Sequence, residues 1–264
     1  MTSLIHPTAV ISDKATLGSN VSVGPYSVIG DDVTIGDNVE IKSHVVLAGH
    51  TEIGENTRIF PFASIGEEPQ DLKYSGEKSK LVIGKNNVIR EHVTMHPGTE
   101  AGDMITVVGD NSLFMIGVHI AHDCHLGNNV IMANNATLGG HVHVGNNAII
   151  GGLAAVHQFV RIGAYAMVGG MSGVESDVIP FGRVKGERAF LAGLNLIGME
   201  RKGFDKSQIK QVQRAYKTLF SSDETFEERL NNVATTYNDN SEIQAIVEFA
   251  RAKTKFPLCH PQKS

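Results

Sequence analysis

The chain has 264 residues, 41% of them hydrophobic, a formal net charge of −5 and only two cysteines, Cys124 and Cys259. That length can bury a core, two cysteines are too few to staple it, and no apolar stretch approaches the ~20 residues of a membrane span. Met1 to His6 lack the charged-then-apolar layout of a signal peptide, so the expectation is a reduced, cytoplasmic protein.

From Ile5 and Ile11 onward, every sixth residue is apolar without a miss as far as Ile65. A period of six matches neither the 3.6 of a helix nor the alternation of a strand, so it calls for a coiled sheet whose sides are one hexad long. Three hexads make one triangular turn. The aliphatic residue of each hexad points inward and stacks on the residue eighteen later, and small polar residues such as Gly30, Asp31 and Asp32 turn the corners. The pattern resembles the left-handed parallel β-helix of hexapeptide-repeat proteins. The handedness follows from that resemblance, since parallel crossovers are otherwise right-handed.

Two segments interrupt the hexads, and such interruptions carry binding loops in repeat folds. The first runs from Gly66 to Lys80; Ile83 lies eighteen residues after Ile65, so the count survives it and continues through Ile89 and Met95. The second, His96 to Thr106, is rich in Gly, Thr and Asp and shifts the register by one, because Met95 and Val108 are thirteen apart. A second unbroken register then runs every sixth residue from Val108 to Val174. The prediction is a β-helix over residues 1–180 with loops near 66–80 and 96–106.

Within that register lie five histidines in 25 residues: His119, His122, His125, His141 and His143. Eighteen residues separate His122 from Gly140, which places the Gly140 backbone over His122 at one strand spacing, roughly 4.8 Å. A histidine that can accept a proton beside an unobstructed glycine amide is a base next to an oxyanion donor, the arrangement acyl transfer requires. Asp123 could hold the imidazole in its useful tautomer. Two other readings stand beside this one: corner and surface histidines of a tolerant repeat, and a zinc site, for which spacings of three do not obviously converge.

After Pro180 the hexads give way to helical spacing at Ile209, Val212, Tyr216 and Leu219, at Phe226, Leu230 and Val233, and at Ile243, Ile246, Val247 and Ala250. Gly203 to Asp205 and Asp239 to Ser241 supply start signals. Residues 181–264 are therefore expected to form a C-terminal helical domain covering the last coil, whose bare sheet edges would invite aggregation. Residues 181 to 217 carry nine Lys or Arg against three acidic residues, a net charge of +6 on an acidic chain. This suggests either an anionic partner or ordinary solvated helix faces. The patch lacks interleaved aromatics and any recognisable nucleic-acid motif.

Gln70 to Lys73, His119 to Cys124, Ala133 to Leu138 with Gly140 and His141, Ala155 to Phe159, and Val168 to Gly170 together resemble the UDP-N-acetylglucosamine 3-O-acyltransferases, which perform the first step of lipid A biosynthesis. The resemblance extends over nearly the whole chain. It implies transfer of a 3-hydroxyacyl chain from acyl carrier protein to the sugar 3-position, without cofactor, metal or covalent acyl-enzyme, so that Cys124 is a bystander. His122 would be the general base, Asp123 its orienting partner and Gly140 the oxyanion donor. Asp71, Lys73, His119, His141, His157 and Gln158 would hold the sugar nucleotide, and Asn195 and Arg201 its nucleotide and phosphates. Gly170, with Met171 beside it, would set acyl length, and Arg183, Lys185 and Arg188 would receive the carrier protein. Members of the family are homotrimers with the cleft between neighbouring prisms. Ile197 and Arg188 depart from the family pattern, which has Glu and His there in some members. A 3-amino acceptor, a zinc hydratase and a non-catalytic solenoid are the competing readings; regular outward Thr rows, which would favour the last, are absent.

Overall fold

Each regular hexad folds as a two-residue strand followed by a four-residue corner, as in Val28–Ile29 and the turn that ends at Val33. Two positions per hexad point inward: the second strand residue, such as Ile29, and the last corner residue, such as Val33, both almost completely buried. The hexad count reveals the first of these and passes over the second. Cys124 occupies a corner-end position of this second kind and is fully buried. Its thiol is pushed up to about 12 by burial.

The coordinates are a computed structural model describing residues 4–262. Stacked hexads build three mainly parallel sheets of nine, eight and ten strands, the walls of a triangular left-handed β-helix. The first wall starts at Val10–Ile11, the second at Thr16–Leu17 and the third at Ser22–Val23. At most corners the third residue has a positive φ near 60°, as at Asn20, Asn38, Asp123 and His141. Asn and Asp tolerate this conformation better than other side chains, which accounts for the asparagine row along the corner between the second and third walls. Asn20 donates to the Asn38 side chain at 3.2 Å and Asn86 to Asn111 at 3.1 Å.

Stacking at a spacing of eighteen holds where no insertion intervenes, as in Ile11 over Ile29 and Ile120 over Leu138. Across the insertions it does not. Ile83 pairs with Ile53 and with Val108, neither of them eighteen residues away, and Ile65 pairs with Met95. Ile65 and Ile83 lie in adjacent walls, because the first insertion sits at the corner between the first and second walls and lengthens one hexad by a multiple of six. The second insertion leaves from the same corner, so both loops project from one edge of the prism.

The chain does not turn helical at Pro180. Gly182–Lys185 extends the third wall in parallel to Met167–Val168, and Phe190–Leu194 closes that wall antiparallel to it. Pairing with an exposed strand edge overrides the weak local pattern there. The helices begin with α1 (Leu196–Arg201), followed by α2 (Lys206–Leu219), α3 (Phe226–Thr236) and α4 (Ser241–Arg251). Asp205 and Thr225 form capping boxes with Gln208 and Glu228, and Asn240 caps α4. Ile209, Val212, Leu230, Val233, Ile243 and Val247 form their shared buried face.

After α4 the chain returns to the prism. Asp177 is fully buried, receives the backbone N–H and guanidinium of Arg161, and accepts from Thr254 Oγ1 at 2.9 Å. Its own N–H donates to Pro257 O, and Cys259 N donates back to its carbonyl. These bonds lay the tail along the loop-bearing corner.

Candidate active site

The corner between the first and second walls carries the histidine coils. His119 lies on the first wall and His125 on the second, so the three-residue spacing puts them on either side of the corner that holds His122. His125 stacks on His143, centroids 5.0 Å apart, with Nε2 3.5 Å from Asp103. Neither ring joins His122.

At the corner, His122 Nδ1 donates to Asp123 Oδ2 at 2.8 Å, leaving Nε2 as the free basic nitrogen. The carboxylate is buried. Burial alone would push its pKa up, but hydrogen bonds from His122 and Thr99 outweigh it and hold the carboxyl below its usual range. A Cβ on Gly140 would lie 2.5 Å from Cε1 and 2.6 Å from Nε2 of His122, so only glycine leaves room for the ring. The Gly140 N–H donates to no protein atom among the described residues. Corner geometry leaves the corresponding amide free in other coils, such as that of Gly152. What distinguishes Gly140 is the imidazole against it.

Asp71, from the first inserted loop, places Oδ2 3.9 Å from His122 Nε2, and Lys73 donates its N–H to the Asp71 carboxylate. The Lys73 side chain is exposed beside a cavity of about 220 Å³ lined also by Glu77 and Thr99. Leu72, between them, is wholly exposed. His119 Nδ1 is 2.8 Å from Thr94 Oγ1, and burial, with His96 nearby, pushes its pKa down to about 4. His119 is therefore neutral near pH 7 and can serve as a neutral hydrogen-bonding group. His141 sits edge-on to His122 at 5.0 Å; burial pushes its pKa down against the opposing pull of Asp123. His157 is exposed, donates to Gln158 O and meets Phe256 of the tail edge to face at 5.2 Å. Gln158 is likewise exposed at this corner.

Several groups here carry no signal in the hexad count. Phe159 stacks on His141 at 4.3 Å, and Lys255 of the tail places Nζ 3.5 Å from the Phe159 centroid. Thr99, Asp103 and Thr106 of the second insertion bond Asp123. Their one sequence signal is the Gly and Thr richness of that insertion.

The remaining expected residues lie elsewhere. Asn195 and Arg201 line a cavity of about 590 Å³ on the third wall, with Ile131, Ile149, Met167 and Arg183, across the prism from the His122 corner. The Asn195 side chain is committed to structure, capping α1 through Gly198 N and donating to Tyr165 O. Ile197, at the rim, is 65% exposed. Gly170 and Met171 lie at the corner between the third and first walls, with Met171 exposed. A Gly170 Cβ would stand 3.2 Å from Gly152 O. Arg183, Lys185 and Arg188 are all exposed, the first two on the same outer face of one strand; Lys185 lies 5.8 Å from the Phe190 ring, and Arg188 pairs with Glu175 at the surface.

Ligand atoms of His122, Asp123 and His141 lie within 4.8 Å of one another, the spacing of a metal triad. The donor set does not suit zinc. Asp123 already accepts from Thr99 N, Thr99 Oγ1, Asp103 N and His122, and Nδ1 of His122 carries the proton it shares with Asp123, so only one nitrogen each of His122 and His141 retains a lone pair to offer, fewer than the three or four ligands of a zinc site.

Residues 177–258 match the family described as UDP-N-acetylglucosamine O-acyltransferase, domain 2, and residues 14–49 and 105–140 match bacterial transferase hexapeptide repeats. The acyl-[acyl-carrier-protein]–UDP-N-acetylglucosamine O-acyltransferase of Rickettsia canadensis is 56% identical over 99% of both chains. Among solved structures, the UDP-N-acetylglucosamine O-acyltransferase of Moraxella catarrhalis superposes with a TM-score of 0.95 at 41% identity, covering 98% of this chain and 100% of that one. The Campylobacter jejuni enzyme gives 0.93 at 41% identity, covering 98% and 100%.

Proposed function

Because the chain belongs to the UDP-N-acetylglucosamine O-acyltransferases, we propose that it moves a 3-hydroxyacyl chain from acyl carrier protein to the 3-hydroxyl of UDP-N-acetylglucosamine, opening lipid A biosynthesis. The observation that carries the chemistry is the His122–Asp123 pair beneath the free Gly140 amide. His122 Nε2 takes the proton of the sugar hydroxyl as its oxygen attacks the thioester carbonyl. The Gly140 N–H donates to the oxyanion of the tetrahedral intermediate. Collapse breaks the C–S bond, and the imidazolium returns its proton to the departing thiolate. Asp123 keeps Nδ1–H in place throughout and stabilises the transient imidazolium. Cys124 takes no part, since its thiol lies in the core and stays protonated. The relatives are named O-acyltransferases, which favours neither an amino-sugar acceptor nor a zinc hydratase.

Asp71, Lys73, His119, His141, His157 and Gln158 are the proposed sugar-nucleotide contacts at this corner, while Arg201, with Asn195 shaping α1, is proposed to meet the nucleotide. One prism holds these two groups on opposite sides. A single substrate can touch both only if a second copy supplies one of them, which supports the homotrimer with inter-subunit clefts. Gly170 and Met171 would then close the acyl groove. Arg183, at the cavity, with the exposed Lys185 and Arg188, is proposed to attract the acidic carrier protein, an effect expected mainly on encounter rate.

The direct test is acyl transfer between the two substrates by the purified protein. His122→Ala is expected to lower turnover by ~10²–10⁴ with folding intact. A variant turning over at nearly the normal rate would rule out His122 as the base.

A further inference from the structure

Asp123 stands at a corner position where the fold ordinarily exposes its side chain, as it does Leu153, Met171 and Tyr26. Asp123 is nevertheless only 2% exposed, because the second insertion folds over it. Thr99 N lies 3.1 Å from both carboxylate oxygens, Thr99 Oγ1 donates to Oδ2 at 2.6 Å, and Asp103 N donates to Oδ1 at 3.1 Å. From below, the Asp123 N–H donates to Thr106 Oγ1 at 2.8 Å. The loop closes on itself, with Gly102 N and Met104 N both donating to Thr99 O. A Cβ on Gly102 would lie 2.3 Å from Asp123 Cγ, and one on Gly98 2.8 Å from Oδ1 and 2.1 Å from Ile105 N. Two glycines thus let backbone amides approach a carboxylate that side chains would displace.

We infer that the 96–104 segment is a carboxylate cradle that locks Asp123 onto Nδ1 of His122, with Thr99 as a positioning residue for the base. This rests on the general-base reading of His122. Asp103 N occupies Oδ1, and Thr99 N and Oγ1 leave Oδ2 one direction in which to accept from His122, a direction that fixes the tautomer whose Nε2 faces the sugar hydroxyl. Thr99 is itself 2% exposed, so its hydroxyl has no competing water. The charged and titratable groups facing the pair are His141, 3.9 Å from Asp123 Oδ2, Asp71, 3.9 Å from His122 Nε2, and His119, which His122 influences electrostatically. Farther out stand Asp103, whose side chain turns to His125, and Lys255, which faces Phe159. All of these remain when Thr99 is changed.

The test compares Thr99→Val, which keeps shape and removes the donor, with Thr99→Ser, which restores it, in wild-type and Asp123→Ala backgrounds. Thr99→Val is expected to lower kcat on the order of ten- to a hundredfold, with KM for the sugar nucleotide unchanged. The acid limb of its kcat/KM profile should move to higher pH. A carboxylate with one donor fewer holds the imidazolium proton more tightly, and the base acts only when neutral. Thr99→Ser should recover both properties, and neither change should matter in the Asp123→Ala background. Gly102→Ala, which pushes on the carboxylate without removing a donor, should lower kcat in the same background-dependent way; thermal melting checks that each variant is folded. Normal kcat and an unshifted limb in folded Thr99→Val, with His122→Ala inactive, would overturn the cradle. An active His122→Ala would instead overturn the general-base reading beneath it.

Discussion

At the scale of single residues, Gly140 and His119 show how a position in the repeat sets chemistry. The Gly140 Cα borders the His122 ring so closely that a methyl group would take the space of the imidazole edge. Gly140→Ala should therefore tilt His122 away from Asp123 and lower kcat at least tenfold, with a small change in melting temperature. Steady-state kinetics beside a melting curve checks this, and unchanged kcat would mean the ring has room to move. His119 makes a stability prediction. Its folded pKa of about 4 lies below the ~6.5 of an unfolded histidine, so between these values the unfolded chain binds more protons. The resulting stabilisation is present above pH 6.5 and lost as pH falls towards 4. His141, His143 and His260 are shifted by burial in the same direction. His119→Gln should reduce the fall in melting temperature over that window, and an identical fall in both proteins would refute the assignment.

At the scale of elements, the walls and the tail differ in what holds them. A strand of two residues contributes little alone, and each coil persists because its neighbours cover its edges and continue its core. The tail has no such repetition and depends on Asp177. With Arg161 18% exposed and Asp177 at 0%, removing one partner strands a buried charge. Asp177→Ala should cost about 3–5 kcal/mol and open the tail to trypsin at Lys253 and Lys255. Urea denaturation and limited digestion measure both, and an unchanged midpoint would show that the helices hold the tail without this tie. The reach of local pattern also differs among elements. The N-caps at Asp205 and Asn240 are readable because a helix start needs side-chain acceptors within three residues. Gly182–Lys185 and Phe190–Leu194 read poorly, because their strand form comes from an edge contributed by Met167–Val168.

At the scale of the whole molecule, the placement of Arg201 across the prism from His122 leads to a complementation experiment. His122→Ala and Arg201→Ala should each be impaired alone. If one substrate spans two copies, mixed oligomers contain clefts in which both native residues meet. Co-expression should therefore restore activity well above the impaired rates of the separately purified and unmixed proteins. Absence of recovery despite demonstrated mixing would place the whole site within one chain.

The sequence alone determined the walls, the buried aliphatic column and the meeting of His122 with Gly140. Each follows from a steric period of six, which holds wherever no residue is inserted, and none is inserted between 122 and 140. The count by itself does not name the wall: Ile83 falls eighteen after Ile65 yet pairs with Ile53, since an insertion can preserve a count while changing the wall. Tertiary structure decided how the insertions and the tail close: Thr99 onto Asp123, Asp71 towards His122, and Lys255 over Phe159. These contacts join segments that share no period, and each exists because a loop or tail is tied down by its own hydrogen bonds. The periodic chain brought the base and the oxyanion donor together, and the aperiodic segments built the surroundings that aim them.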